Sequence, residues 1–171
     1  GTPSGVDNTL APFAKPMLFR NAGGLQFDSL DIDTPPPLVV AWGPETGRTS
    51  EQVAGVRKRR EQSVAHFDYL FDEMDRLSRQ GAELLQAAKW EDLGALMNIC
   101  HGLLNAIGVS TPDLERMVAL ARECGAVGAK ITGAGGGGSI VALCPRDSST
   151  VEAELRRAGY QTLVLAGKQK S

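Results

Sequence analysis

The sequence predicts an α+β fold, a ferredoxin-like split βαβ domain with additional helices. Short apolar runs bounded by Gly, Pro and polar residues occur at 38–42, 129–132, 139–144 and 161–166, and such runs are typical of buried strands. Between the first two runs, residues 49 to 108 carry apolar side chains at helical spacing. A strand, a long helical region, two strands, a helix and a last strand is the order of the split βαβ arrangement.

The segment before the first of these strands predicts a short helix and a hairpin. Ser4 is a candidate N-cap, with Asp7 three residues on as the acidic partner of a capping box. We expect this helix to end near Pro12. Two strands are predicted at 17–20 and 25–27, separated by a turn that contains two glycines.

The long helical region predicts three helices. Thr49 or Ser50 caps the first, and breaks are expected at Gly81 and at 88–90. Pro112 occupies the first position of a fourth helix, where its missing N–H costs nothing. A last helix is predicted at 149–158.

The composition excludes several classes of protein. A net charge of −2 over 171 residues gives no sign of a nucleic-acid or membrane partner, and no apolar run approaches the roughly 18–20 residues of a membrane span. The three cysteines, Cys100, Cys124 and Cys144, are widely spaced and fit neither a disulfide framework nor a zinc site. We therefore expect reduced thiols in a cytoplasmic protein.

The first candidate for chemistry is the run KITGAGGGGS at 130–139. The uncovered backbone amides of so many glycines can form a concave nest for an anion such as phosphate. A flexible hairpin connection is the structural alternative, although a simple hairpin needs only one or two glycines. Gly133, Gly135 and Gly138 also match the spacing of the dinucleotide fingerprint, but that fingerprint requires a helix directly after it, and a strand is predicted here.

Asp7 is the second candidate. As the acid of a capping box it would be purely structural, but a carboxylate in the first turn of a helix beside Gly5 is also accessible to a substrate. Phosphoryl transfer needs a carboxylate to orient and deprotonate the attacking hydroxyl, and donors to hold the phosphates. Asp7 and the loop at 133–138 supply one of each if they converge on a single pocket.

Three further features predict structural roles. His101 is expected to be packed or solvent-facing rather than a ligand. The basic run RKRR at 57–60 points in nearly all directions around its helix and therefore predicts a solvated surface. Trp42 and Trp90 are expected in the core or at an interface.

Four motifs, in order, resemble those of the family of galactokinase, homoserine kinase, mevalonate kinase and phosphomevalonate kinase. Residues 3–9 (PSGVDNT) resemble the mevalonate kinase segment that holds the catalytic aspartate, and residues 130–138 (KITGAGGGG) resemble the third conserved motif of the wider family. Thr49 with the run VAGVR at 53–57 resembles the helix start that carries a substrate-proximal threonine. The runs MN and LLNAIGV within 97–109 resemble the mevalonate kinase helix that ends in LGV.

The resemblance implies a role for each matched residue. Asp7 is the implied catalytic carboxylate, acting on the substrate's primary hydroxyl. The implied substrate-binding residues are Ser4, Gly5, Thr49 and Ala134. The implied phosphate-proximal loop comprises Lys130, Thr132, Gly133, Gly135, Gly136 and Gly137.

The resemblance also implies that the chain is a fragment. Residues 1–36 would be the end of the amino-terminal domain, with the Asp7 motif and the hairpin, and residues 37–171 the carboxy-terminal ferredoxin-like kinase domain. The family's first nucleotide loop and its magnesium-binding serine and glutamate belong upstream of Gly1. ATP and Mg²⁺ would therefore be bound mainly by the missing portion, with no metal site within the fragment.

The activity that the resemblance implies is ATP-dependent phosphorylation of mevalonate at its primary hydroxyl, in isoprenoid precursor synthesis, with the isolated fragment inactive. The implied partners are mevalonate and either the missing amino-terminal half or a homodimer mate. Two alternatives stay open. One is another kinase of the family, acting on phosphomevalonate or a sugar. The other is a non-catalytic module that binds a metabolite or a partner chain through its glycine loop.

Overall fold

The computed structural model describes residues 16–21, 24–44 and 49–165. In these ranges the strands are β1 (Met17–Asn21), β2 (Leu25–Ser29), β3 (Leu38–Trp42), β4 (Gly128–Thr132), β5 (Ser139–Leu143) and β6 (Gln161–Leu165). The helices are α1 (Thr49–Gln62), α2 (Val64–Gln86), α3 (Trp90–Ala106), α4 (Pro112–Glu123) and α5 (Ser149–Arg157). None of these five helices combines the length and apolar character that crossing a bilayer requires.

Four strands form one antiparallel sheet in the order β4-β5-β3-β6. The central strand β3 pairs with β5 on one side and β6 on the other, while helices α1 to α4 fill the long connection from β3 to β4. This is the strand order of a split βαβ, ferredoxin-like sheet with additional helices in its first crossover. The predicted fold class is confirmed.

The predicted hairpin forms a separate two-stranded sheet. β1 and β2 pair antiparallel, and β1 contacts α2. Phe19 and Phe27 face each other across the pair, with ring centroids 5.3 Å apart. The division of the chain into residues 1–36 and 37–171 stays a prediction.

The main core lies between one face of the four-stranded sheet and helices α4 and α5. Val39 and Ala41 of β3 are fully buried and alternate with partly exposed neighbours, as expected of a strand covered on one face. The buried helix residues are Leu114, Met117, Val118 and Ala121 of α4 and Val151 and Leu155 of α5. Full burial of each large aliphatic side chain contributes about 1.5–3 kcal/mol, so the sheet is a firm support for the loop between β4 and β5.

The number of helices between β3 and Gly108 is three, as predicted, but one predicted break is wrong. Gly81 lies inside α2, where a Cβ would come within 3.2 Å of the Leu96 side chain, so its small size serves the packing of α2 on α3. The break occurs instead at Ser63, whose φ of −152° is not helical. The second break is confirmed at Ala88, which follows the end of α2 and has a φ of +50°.

A pair of glycines brings α3 unusually close to β4. A Cβ on Gly128 would lie 2.3 Å from the Gly94 carbonyl oxygen, and a Cβ on Gly94 would lie 2.7 Å from the Val127 carbonyl carbon. No side chain fits at either position without moving backbone. Helix α3 is therefore held directly against the strand that leads into the glycine loop.

Candidate functional site

The glycine loop, residues 133–138, connects β4 to β5 and is built almost entirely of left-handed backbone. The φ angles of Gly133, Gly135, Gly136, Gly137 and Gly138 lie between +71° and +113°. L side chains rarely adopt this region, so the five glycines are required by the path of the chain. The loop is a shaped turn rather than a simple two-residue hairpin connection.

The loop is seated on the segment that follows α3. The Gly136 N–H donates to the Val109 carbonyl oxygen over 2.8 Å, and a Cβ on Gly135 would lie 2.3 Å from the same oxygen. On its other side, a Cβ on Gly136 would lie 2.0 Å from Gln52 Nε2. The Gly136 amide is therefore engaged in seating the loop.

An apolar pocket of about 270 Å³ opens beside the loop. Residues of α1, of the end of α3 and of the glycine loop line it: Gln52, Val53, Val56, Leu104, Ile107, Val109, Gly133 and Ala134. Thr49 is the first residue of α1 and lies one turn before Val53. Ala134, a predicted substrate-binding residue, therefore lines the same cavity as the helix that begins at Thr49, another predicted substrate-binding residue.

Thr132 and Lys130 of β4, both predicted to lie near the phosphates, have different surroundings in the structure. Thr132 ends the strand and is exposed. The Lys130 ammonium donates to the Ile131 carbonyl oxygen over 2.8 Å, so it is held on local backbone in this structure. Their roles beside a phosphate stay predictions.

The predicted residues Ser4, Gly5 and Asp7 lie outside the described residues. The predicted helix that ends near Pro12 lies there as well. The convergence of Asp7 with the glycine loop, on which the site hypothesis depends, therefore stays a prediction.

Asn98 has a structural role that sequence reasoning missed. Its side-chain amide donates to the Val127 carbonyl over 3.2 Å and accepts from the Ala129 N–H over 3.1 Å. β4 is an edge strand, so the amide satisfies backbone groups that a neighbouring strand would otherwise bind. Arg122 adds a bond of 2.7 Å to the Ala129 carbonyl. The run MN is part of the resemblance to the family, but no local sequence pattern predicts that the Asn98 side chain binds the backbone of 127–129.

Arg59 departs from the prediction of a solvated basic surface. It donates to the carbonyls of Ile107 and Gly108 over 2.9 and 3.0 Å, at the end of α3. A cation at the carboxyl end of a helix also interacts favourably with the helix dipole. The prediction is wrong for Arg59 because the residue meets a helix end that is distant in sequence.

His101 is packed, which is one of the two outcomes predicted for it. It is 4% exposed, and its Nε2 lies 3.2 Å from Glu115 Oε1, although neither ring nitrogen makes a well-aligned hydrogen bond within the described ranges. Burial lowers the pKa of His101, which outweighs the opposite effect of Glu115; Arg122 and Lys130 lower it further. We therefore take the ring as neutral at pH 7.

No group of three or more His, Cys, Asp or Glu side chains in the described part of the chain could hold a metal ion. The chemistry that this part can supply is the binding of an anion by backbone amides beside an apolar cavity. The described residues that line the cavity include no carboxylate.

Residues 82–161 match the family described as GHMP kinases C terminal. This range contains α3, α4, β4, the glycine loop, β5 and α5. This part of the chain is therefore similar to the carboxy-terminal domain of the GHMP kinases.

Among relatives, the similarity is to mevalonate kinases. The mevalonate kinase of Thermococcus sibiricus is 40% identical over 96% of this chain, and that of Pyrococcus furiosus is 37% identical over 96%. The chain spans about half the length of these relatives, 50% and 49% respectively.

Solved structures show the same similarity to kinases of this family. The L. major mevalonate kinase in complex with R-mevalonate superposes with a TM-score of 0.84 at 34% identity, over 92% of this chain and 49% of that one. A Streptococcus pneumoniae phosphomevalonate kinase shares the fold at 18% identity, with a TM-score of 0.71 over 85% of this chain and 44% of that one. The predicted resemblance is confirmed.

Proposed function

We propose that this chain is the carboxy-terminal part of an enzyme that phosphorylates mevalonate at its primary hydroxyl, with ATP as the phosphoryl donor. The observation that carries the proposal is the similarity to mevalonate kinases along 96% of the chain, including the left-handed glycine loop. The cavity beside the loop is apolar, which suits a small branched hydroxy acid better than a sugar covered with hydroxyl groups.

The chain's own residues would divide the work. Asp7 would orient the hydroxyl and take its proton as the oxygen forms a bond to the terminal phosphorus of ATP, while the bond from that phosphorus to the leaving ADP breaks. The amides of the glycine loop would face the phosphates, with Lys130 and Thr132 at its approach. Ser4, Gly5, Thr49 and Ala134 would hold the substrate so that its hydroxyl is in line with the transferred group.

We further propose that the rest of the site lies in the half of the relatives' length that this chain does not span. That portion would bind most of ATP and Mg²⁺, whose charge offsets that of the phosphates. The residues 1–171 alone would then be inactive and would act with the remaining half or with a second copy. We place the protein in the cytoplasm, with no nucleic-acid or membrane partner.

The test is a coupled assay of ADP release by the full-length protein with R-mevalonate, phosphomevalonate and galactose as separate substrates. We expect turnover with mevalonate, and an at least thousandfold loss of kcat in Asp7→Asn, about the upper range of general acid–base contributions. Asp33→Asn, an exposed carboxylate, is the matched control. Turnover with phosphomevalonate or galactose only would reject the substrate assignment, and full activity of Asp7→Asn would reject the catalytic role.

The pocket can be tested in the same assay. Ala134→Leu places a larger side chain in the cavity and should raise KM for mevalonate about tenfold or more, as steric discrimination in an apolar pocket is worth roughly 1–3 kcal/mol. An unchanged KM for mevalonate would place the substrate elsewhere.

A further inference from the structure

The segment between α3 and α4, residues 107–111, meets the glycine loop through one backbone hydrogen bond. The acceptor is the Val109 carbonyl, the donor is the Gly136 N–H, and Val109 itself is 4% exposed. Gly135 passes so close to this carbonyl that even a methyl group would clash. Because both contacts are to one oxygen atom, the position of the Val109 carbonyl determines where the loop can lie.

Side chains from two helices hold this segment on either side of Val109. Arg59 of α1 binds the two carbonyls that precede it, those of Ile107 and Gly108. Glu115 of α4 accepts a hydrogen bond from the hydroxyl of Ser110, which follows it. Arg59 thus holds the backbone before Val109 and Glu115 holds the residue after it, so the two side chains together fix the Val109 carbonyl that binds the glycine loop.

Glu115 Oε1 is a shared acceptor. Besides the Ser110 hydroxyl, Asn105 Nδ2 donates to the same oxygen over 3.1 Å, and His101 Nε2 lies 3.2 Å from it. The three partners come from α3 and from the segment itself, so they tie α4 to the end of α3. In such networks each bond orients the next, and the loss of a central member costs more than one bond.

We propose that Glu115 is a positioning residue for the glycine loop, acting through Ser110 and the Val109 carbonyl on Gly136. The contact chain is a property of the fold, and only its consequence for phosphoryl transfer rests on the proposed function. If the loop must hold its amides in place before the phosphates arrive, a residue that fixes the loop's seat acts on the rate rather than on substrate affinity.

The direct test is amide hydrogen exchange at Gly136, followed by NMR in full-length protein labelled with ¹⁵N-glycine. Glu115→Ala should speed exchange at Gly136 about tenfold, and Ser110→Ala about fivefold, since each removes support for one hydrogen bond. Glu115→Gln keeps an acceptor oxygen and should stay within about threefold of the unmutated protein. Glu123→Ala, an exposed residue of the same helix, is the control.

The Gly128 amide of β4 separates positioning from a general loss of stability, because it lies in the sheet. Faster exchange at Gly136 with unchanged exchange at Gly128 supports the proposal. Equally faster exchange at Gly136 and Gly128 would show a merely structural role for Glu115. Unchanged exchange at Gly136 would show that Glu115 is not coupled to the loop. Either result overturns the proposal.

Kinetics of the same variants then test the consequence for catalysis. Glu115→Ala should lower kcat about tenfold while KM for mevalonate changes less than about twofold. Lower kcat and higher KM in proportion to lost stability would contradict positioning. If the unmutated protein shows no turnover, the proposed function fails, while the exchange result at Gly136 still decides whether Glu115 positions the loop.

Discussion

Asn98 offers the sharpest test of how the fold supports the glycine loop, because one side-chain amide replaces a missing neighbour of strand β4. The bond to the Val127 carbonyl uses the amide as a donor, and the bond from the Ala129 N–H uses it as an acceptor. Asn98→Ala removes both the side-chain donor and the side-chain acceptor, whereas Asn98→Asp keeps the acceptor and removes the donor. The two variants therefore separate the two bonds.

The expected magnitudes follow from the number of backbone groups left without a partner. Leaving a buried donor or acceptor unsatisfied costs about 1–3 kcal/mol, and both bonds of Asn98 are only partly buried, which favours the lower end. Asn98→Ala should therefore lower the free energy of unfolding by about 2–3 kcal/mol. Asn98→Asp should lower it by about 1–2 kcal/mol near pH 7, because a carboxylate oxygen then faces the Val127 carbonyl.

Urea unfolding at two pH values checks this reasoning. The carbonyl beside it raises the expected pKa of an aspartate at position 98, so protonation near pH 4–5 restores a donor and should narrow the difference from the unmutated protein. Gln80→Glu, the same type of change on an exposed side chain of α2, should change stability by less than about 0.5 kcal/mol. Equal stability of Asn98→Asp and the unmutated protein near pH 7 would refute the account of the donor bond.

Three further predictions concern single features. Ala88 occupies a left-handed position after α2 that favours glycine, so Ala88→Gly should raise the free energy of unfolding by about 0.5–1 kcal/mol, whereas Ala87→Gly, at a right-handed position, should lower it by a similar amount in urea titrations. Burial lowers the pKa of His101 in the folded protein, so the unfolded chain binds a proton more readily and the free energy of unfolding should fall as pH drops through about 6.5. His101→Gln should therefore lessen the fall in melting temperature between about pH 7.5 and 5.5. An unchanged pH dependence in this variant would refute the reasoning. Burial raises the pKa of Cys144 to about 11, so its alkylation near pH 7.5, followed by mass spectrometry, should be at least about a hundredfold slower than that of a free cysteine.

The order of the elements was predictable from the sequence because strands and helices differ in local apolar spacing. β4, β5 and β6 fall within a residue or two of the predicted runs, and Pro112 marks the start of α4 as expected. The break at Gly81 was predicted wrongly because a glycine looks the same in sequence whether it ends a helix or admits a neighbouring one. Only the contact with Leu96 shows which applies.

The candidate site was predictable only in part, for a similar reason. The five glycines of the loop are visible as a pattern, and in the structure all five have left-handed φ angles, while the predicted binding of phosphate stays a prediction. The surfaces against which the loop lies, Val109 and Gln52, are far away in the chain and carry no pattern of their own. The same holds for Arg59 and Asn98, whose partners are backbone atoms of other elements. Asp7 lies outside the described residues, so its role stays a prediction.

Under the proposed function, the range that matches the kinase family also indicates which residues select the substrate. Residues 82–161 contain the glycine loop and its seat, whereas the wall of the cavity formed by Gln52, Val53 and Val56 precedes that range. Kinases that share phosphoryl transfer need the same arrangement around the phosphates, but they differ in the pocket contacts that select the alcohol. Helix α1 buries no residue fully and contributes this wall, and of its cavity residues Val56 also packs against the buried cluster of Phe67, Ile107 and Val109. Under the proposed function, we therefore expect substitutions of the α1 residues that line the cavity to change which alcohol is accepted, and substitutions in the glycine loop to affect phosphoryl transfer to every substrate.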